Sequence, residues 1–283
     1  MKTYRPLKSL VHVVEFYYEF DISFSPTSFL PKKILPCGHT HFLFSWGGCW
    51  KLDNSSTIRH LPPFYITGQS NRYYFLTPSS PLHSFGIAFK PYAFAFLFGW
   101  DQYEFCNTTI SIEEVFGKEG SQLTEQISLA SEGEQRVHIV ENFLLSRLRK
   151  NQGKPESPII YNALQILYQH QGIMSVHHLH NSLHISERHL ERIFRQYLGM
   201  GPKKWANLIR FIHVMQIVSQ ENCSPLTLTA WLNYFDHSHF YRDFLIHSGE
   251  HYGQINLNLH PMCTCEHLVK WDSGSHPLQL NPE

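Results

Sequence analysis

Two stretches of this 283-residue chain fix arginine between apolar residues: ISERHLERIFRQYLG, Ile185 to Gly199, and FDHSHFYRDFLIHSG, Phe235 to Gly249. At an offset of 50 (240 − 190), Ser186 matches Asp236, Leu190 matches Phe240, Arg192 matches Arg242, Phe194 matches Phe244 and Gly199 matches Gly249. Arginines held in this way can recognise anions and base edges, because a guanidinium bonds a phosphate or the O6 and N7 of guanine. A second group, Gly38-His39-Thr40-His41, sets two imidazoles on one face of an expected strand, a pattern suited to zinc- or iron-type metals. A third, Cys263-Thr264-Cys265-Glu266-His267, offers ligands to a soft metal from a polar tail.

The arginines need a helix to carry them, and each stretch supplies one. Ser186 and Asp236 are N-cap residues, the apolar pair at i and i+4 makes a buried stripe, and Gly199 and Gly249 suit the left-handed turn that stops a helix. Each helix runs about three turns. At about 100° per residue, Arg188, Arg192 and Arg195 lie opposite Leu190 and Phe194, while Ser238, His239 and Arg242 are left outward in the second copy. An apolar segment precedes each cap, VHHLHNSLHIS and LTLTAWLNYFD, so each copy follows the helix-turn-helix plan. Candidate DNA-contacting residues are Arg188, His189, Glu191, Arg192 and Arg195 in the first copy, and His237, Ser238, His239, Tyr241 and Arg242 in the second. Protonation of His237 or His239 would add positive charge near phosphates under mildly acid conditions. The plainer alternative is an amphipathic capped helix with an exposed arginine and no partner, which is common in helical domains.

Around the copies, helical spacing continues. Ser157-Pro158 is an N-cap with proline following, and Ile160, Ala163, Leu164 and Leu167 line one face. Pro202 opens a longer helix through Trp205, Leu208, Ile212 and Met215. Upstream the texture is different. Residues 35 to 98 are aromatic and β-favouring, broken by Trp46-Gly47-Gly48 and Leu61-Pro62-Pro63, and read as short strands of a sandwich or small barrel. Residues 122 to 149 read as a helix pair broken at Ser131-Glu132-Gly133. Their stripe Val137, Val140, Leu144, Leu148 either pairs with a second copy in a homodimer or packs on its own barrel.

Composition sets limits on partners. With 23 Lys and Arg against 23 Asp and Glu, the chain has no general attraction to nucleic acid or anionic membranes. Between Pro158 and His260, seven cations (Arg188, Arg192, Arg195, Lys203, Lys204, Arg210, Arg242) face six anions (Glu187, Glu191, Glu221, Asp236, Asp243, Glu250), so DNA binding must rest on both units engaging together. No stretch reads as a signal peptide or membrane span, and a cytoplasmic chain is expected. The six cysteines form no C-x-x-C pair and are expected as free thiols.

Through SERHLERIFRQYLGMGP and FDHSHFYRDF, the C-terminal region resembles the DNA-binding domain of AraC/XylS-type transcriptional regulators, with Arg210 also in its family place. In that family two helix-turn-helix units joined by a long helix address successive major grooves. Through ILPCGHTHFLF, YITGQSNRYYF and FGIAFKP, residues 1 to 150 resemble the cupin-like sensor barrel, followed by helices, that precedes this domain in a subset of such regulators. Where the family has a small alanine in the first helix of each unit this chain has His180 and Thr229, and where it has turn glycines this chain has His184 and Asn233; the expected proline is Tyr252.

The resemblance implies an α+β chain of two domains. Residues 1–150 form a β-rich sensor or dimerisation domain, 151–157 a linker, 158–260 an all-α DNA-binding domain, and 261–283 an expected disordered tail. It implies a sequence-specific, effector-responsive transcription regulator, activators among them, with double-stranded DNA as partner and no membrane, cofactor, metal or catalytic residue. It admits a small-molecule effector, RNA polymerase and a second copy of the chain as further partners. Two alternatives stand beside it: a metal-binding cupin-like enzyme using His39 and His41, although Phe42 to Trp46 offers no carboxylate ligand, and a degenerate regulator acting through protein contacts.

Overall fold

A computed structural model describes residues 1–23, 29–54, 57–150, 157–220 and 223–254. Most of the expected linker and the whole expected tail, with Cys263, Cys265 and His267, lie outside these residues. The strands are β1 (Lys2–Tyr4), β2 (Val14–Ile22), β3 (Lys32–Ile34), β4 (Thr40–Trp46), β5 (Trp50–Asp53), β6 (Ile58–His60), β7 (Phe64–Thr67), β8 (Tyr74–Pro78), β9 (Leu82–Phe89) and β10 (Thr109–Ser111). They pair antiparallel into a six-stranded sheet, β1-β2-β9-β4-β7-β10, and a four-stranded sheet, β3-β8-β5-β6. Strands therefore extend on both sides of the 35–98 window that composition marks. The segment VEFYYEFDI of β2 does not alternate cleanly between apolar and polar, because it pairs centrally with β9 and is covered on both faces.

That double covering organises the sensor. Phe42 and Phe44 of β4, Phe85, Ile87 and Phe89 of β9 and Tyr17 of β2 join a core with α1 (Ala93–Phe98), α2 (Ile112–Phe116), α3 (Lys118–Leu129) and α4 (Gly133–Lys150). From the other face of the same strands, Tyr18, Phe20, Leu43 and Ala88 pack against Ile34, Trp50, Leu52 and Leu76 of the smaller sheet. Each fully buried aromatic contributes about 1.5–3 kcal/mol relative to exposure. Val137, Val140 and Leu144 of α4 are buried in this chain's own core, with Leu148 packed beside them. The stripe is thus covered by its own barrel, and a homodimer would need another surface.

The C-terminal helices are α5 (Ser157–Gln169), α6 (Val176–Ser182), α7 (Glu187–Leu198), α8 (Pro202–Gln220), α9 (Pro225–Trp231) and α10 (His237–Ser248). Their core is continuous with the sensor's. Trp205 of α8 reaches Gly38, where an added Cβ would lie 3.5 Å from the indole and which sits at φ +76°. Gln102, fully buried in a 3-10 turn (Gln102–Phe105), donates to the carbonyl of Tyr197 in the last turn of α7 at 2.9 Å. The bond satisfies one of the carbonyls that a helix end leaves without an intrahelical partner. On the second unit, Gly249 packs against the Tyr73 ring and Lys33 pairs with Glu250. The two helix-ending glycines, at matching repeat positions, both face the sensor. Among the described residues no helix is long and apolar enough to cross a membrane. Cys37, Cys49, Cys106 and Cys223 are free thiols.

Candidate nucleic-acid interface

The caps of α7 and α10 fall where the sequence puts them. Ser186 accepts the His189 amide at 3.2 Å and Asp236 the His239 amide at 2.6 Å, while Gly199 and Gly249 end α7 and α10 at φ 76° and 71°. The preceding helices are capped alike: Ser175 accepts the His178 amide, and Ser224 accepts the Thr227 amide ahead of Pro225. The turn inside each unit needs positive φ, supplied by His184 at 54° and Asn233 at 51°. Asparagine adopts that region readily and histidine less so. Next to the first turn, His180 Nδ1 lies 3.2 Å from the Ile185 carbonyl. In the second unit Thr229 donates to the Pro225 carbonyl at 2.7 Å and lies 3.2 Å from His237 Nδ1.

Leu190, Phe194, Phe240 and Phe244 are buried, so the stripes face inward. Outward on α7 stand Arg188, Arg192 and Arg195. Arg192 reaches Gln196 and His189 at 3.3 Å each, and Arg195 lies 3.5 Å from Glu191 and 6.0 Å over the Tyr103 ring of the sensor. On α10 His237, Ser238, Tyr241 and Arg242 are exposed, and Arg242 Nε donates to the Ser238 carbonyl at 3.2 Å. Three candidates are less outward than the helical wheel implies. His189 and Glu191 are half-buried, and His239 is half-buried with its ring 5.3 Å from Tyr234.

Sequence reasoning missed a polar hub inside the second unit. Asp243, 6 % exposed, accepts Tyr234 Oη at 3.0 Å and Asn207 Nδ2 at 3.4 Å, with His247 Nδ1 3.8 Å away. Burial, then the Asp243 charge, raises the Tyr234 phenol well above its ordinary value, so it stays a donor. Arg210 of α8 lies 4.8 Å over the Tyr234 ring and donates to the Gly172 carbonyl at 3.0 Å, tying the linking helix to both sides. The repeat carries the signal for this hub: Asp243 and His247 occupy the positions of Ile193 and Tyr197.

The imidazole pair of the sensor is built into packing. His39 Nδ1 lies 2.9 Å from the Phe89 carbonyl; His41 lies 3.2 Å from Tyr18 Oη and 3.7 Å from Cys37 Sγ. Burial, then His39, pulls His41 down to about 3, which keeps the ring neutral. No group of three or more His, Cys, Asp or Glu suited to a metal ion occurs among the described residues.

A chain with two capped helix-turn-helix units on a linking helix, set behind a sheet-rich domain, has the build of a DNA-binding regulator. Residues 179–255 match the helix-turn-helix domain family and residues 2–111 a domain of unknown function, DUF6597. Residues 179–255 are thus a helix-turn-helix domain, similar to that of AraC-type regulators, which supports a DNA-binding role. Among solved structures, ToxT from Vibrio cholerae O395 is 11% identical, with 90% of this chain and 98% of that one covered at a TM-score of 0.44. ToxT bound to (E)-4-(8-methylnaphthalen-1-yl)but-3-enoic acid gives 10%, 83%, 96% and 0.45. The AraC-like transcriptional activator CuxR gives 16%, 72%, 74% and 0.29. No curated protein matches the chain.

Proposed function

We propose that the protein is a cytoplasmic, sequence-specific regulator whose two helix-turn-helix units occupy successive major grooves and whose affinity answers to a small effector. The observation that carries the reading is the pair of equivalent capped helices, each with its apolar stripe buried and Arg192 or Arg242 outward at the same repeat position. Since the helical domain is barely basic, engagement of both units supplies the affinity that phosphate neutralisation alone does not.

The effector half of the reading rests on where space exists. Inside the sensor, beside His39, His41 and Tyr65, only about 30 Å³ remains, room for a water or two. A cavity of about 260 Å³ opens nearby, lined by Asn54, Arg72, Tyr73, Tyr74 and Asn107. Arg72 and Asn107 also line a cleft of about 610 Å³ between sensor and first unit, where Arg195, Lys203 and Lys204 add three more cations against one carboxylate, Glu191, which lies 3.5 Å from Arg195. An effector with an acidic group suits that cleft and would bridge the sensor to α7. Tyr73, on the wall of the smaller cavity, touches Gly249 at the end of α10.

Mapping genomic fragments bound by the purified full-length chain tests the first half. A shared sequence in the bound fragments, lost with Arg192→Ala in a folded protein, is the expected result; indiscriminate recovery overturns it. Replacing Arg72 and Lys204 by alanine tests the second half, and should abolish any change in DNA affinity caused by carboxylate-bearing metabolites from the host cell.

A further inference from the structure

The outward face of α10 departs from that of α7 in one consistent direction. At the 50-residue offset, Glu191 becomes Tyr241, Arg195 becomes Leu245 and Gln196 becomes Ile246; Arg188 becomes Ser238, and only Arg192 is kept, as Arg242. All of the second set are exposed, Ile246 at 61 %. Just ahead of the cap, Phe235 is 93 % exposed, whereas its repeat partner Ile185 is half-buried and packed on the core. The fold therefore does not need Phe235 where it stands. Aromatic and aliphatic side chains have replaced charged and polar ones on the face that, in the first unit, bears the arginines.

We propose that the second unit reads thymine C5-methyl groups in the major groove, through Phe235, Tyr241 and Leu245, while the first reads guanine through its arginines. The proposal rests on the DNA-binding reading above and names the base that each unit prefers. Three observations favour a nucleic acid over a protein on this face. Ser238 and Arg242 sit among the apolar residues and can bond phosphates. The face carries no free carboxylate, because Asp236 caps the helix and Asp243 is turned into the core. Phe235 stands just before the cap of α10 and Tyr241 in its second turn, towards the end that meets base edges in helix-turn-helix proteins. In the major groove the thymine methyl is the one apolar group of the base pairs, and apolar side chains recognise it.

The test starts from duplexes enriched by the full-length protein from a random-sequence pool. They are remade with uracil for thymine at single positions, which removes a methyl and keeps every base-pairing hydrogen bond. Binding should weaken about fourfold for each contacted methyl, in one half of the site only. Leu245→Ala and Tyr241→Ser should bind thymine and uracil duplexes equally at the contacted position while both proteins stay folded; Leu245→Ala should keep its melting temperature, and Tyr241→Ser should lose a little with its 5.5 Å ring contact to Phe240. The other half should be indifferent to uracil and sensitive to 7-deazaguanine. Equal affinity for thymine and uracil duplexes throughout overturns the proposal and leaves the apolar face to a protein partner. A pool with no enriched sequence overturns the DNA reading itself, and the proposal with it.

Discussion

The first helix-turn-helix unit is apolar inside and charged outside; the second is mixed on both sides. Ile193 and Tyr197 inside α7 correspond to Asp243 and His247 inside α10, whereas Glu191, Arg195 and Gln196 outside α7 correspond to Tyr241, Leu245 and Ile246. Duplicating a fold fixes its caps and turns, since those serve the backbone. Each face is then free to change as long as its own groups are satisfied. In the second unit Tyr234 and Asn207 donate to the Asp243 carboxylate and His247 Nδ1 lies 2.8 Å from the Asp243 main-chain carbonyl; a buried charge without such partners would be costly.

The largest effect expected from breaking this comparison lies in the shared stripe. Phe240→Ala should cost about 3–5 kcal/mol and Leu190→Ala about 2–5 kcal/mol, since both side chains are fully buried. Chemical denaturation of the full chain checks both, and a loss in only one unit would show that the stripes are not equivalent.

Next comes the hub. Asp243→Ala should cost about 1–3 kcal/mol by leaving the buried Tyr234 hydroxyl without its acceptor. A Tyr234→Phe, Asp243→Ala double variant should recover part of that loss. If the double variant is as unstable as the sum of the two single changes, the hub is a set of independent contacts.

On binding, Arg192→Ala should weaken specific DNA affinity by about 1–3 kcal/mol with the fold intact. Arg242→Ala should weaken it less, because α10 carries one outward arginine where α7 carries three. Anisotropy titrations at fixed salt measure both, and equal losses would erase the asymmetry between the units.

The backbone of this comparison was legible in the sequence. Ser186, Asp236, Gly199 and Gly249 act on neighbours within one turn, so their local chemistry declares them, whereas the turn at His184 is marked by the family resemblance. The sensor's first strands escaped notice because β2 is covered on both faces and lacks the alternation that marks a half-buried strand. Asp243 escaped because a carboxylate on a helical wheel reads as solvent-facing, and its partners Asn207 and Tyr234 lie on other segments. The contact of Gln102 with Tyr197 joins residues far apart in the chain, and neither side chain advertises it.

That two unlike units both read DNA is tested most directly by comparing the base preferences of the wild-type chain and Arg192→Ala over one set of selected duplexes. The expected outcome is two elements about 10 base pairs apart, with the variant flattening one and leaving the other intact. A single element, or equal flattening of both, would contradict the account.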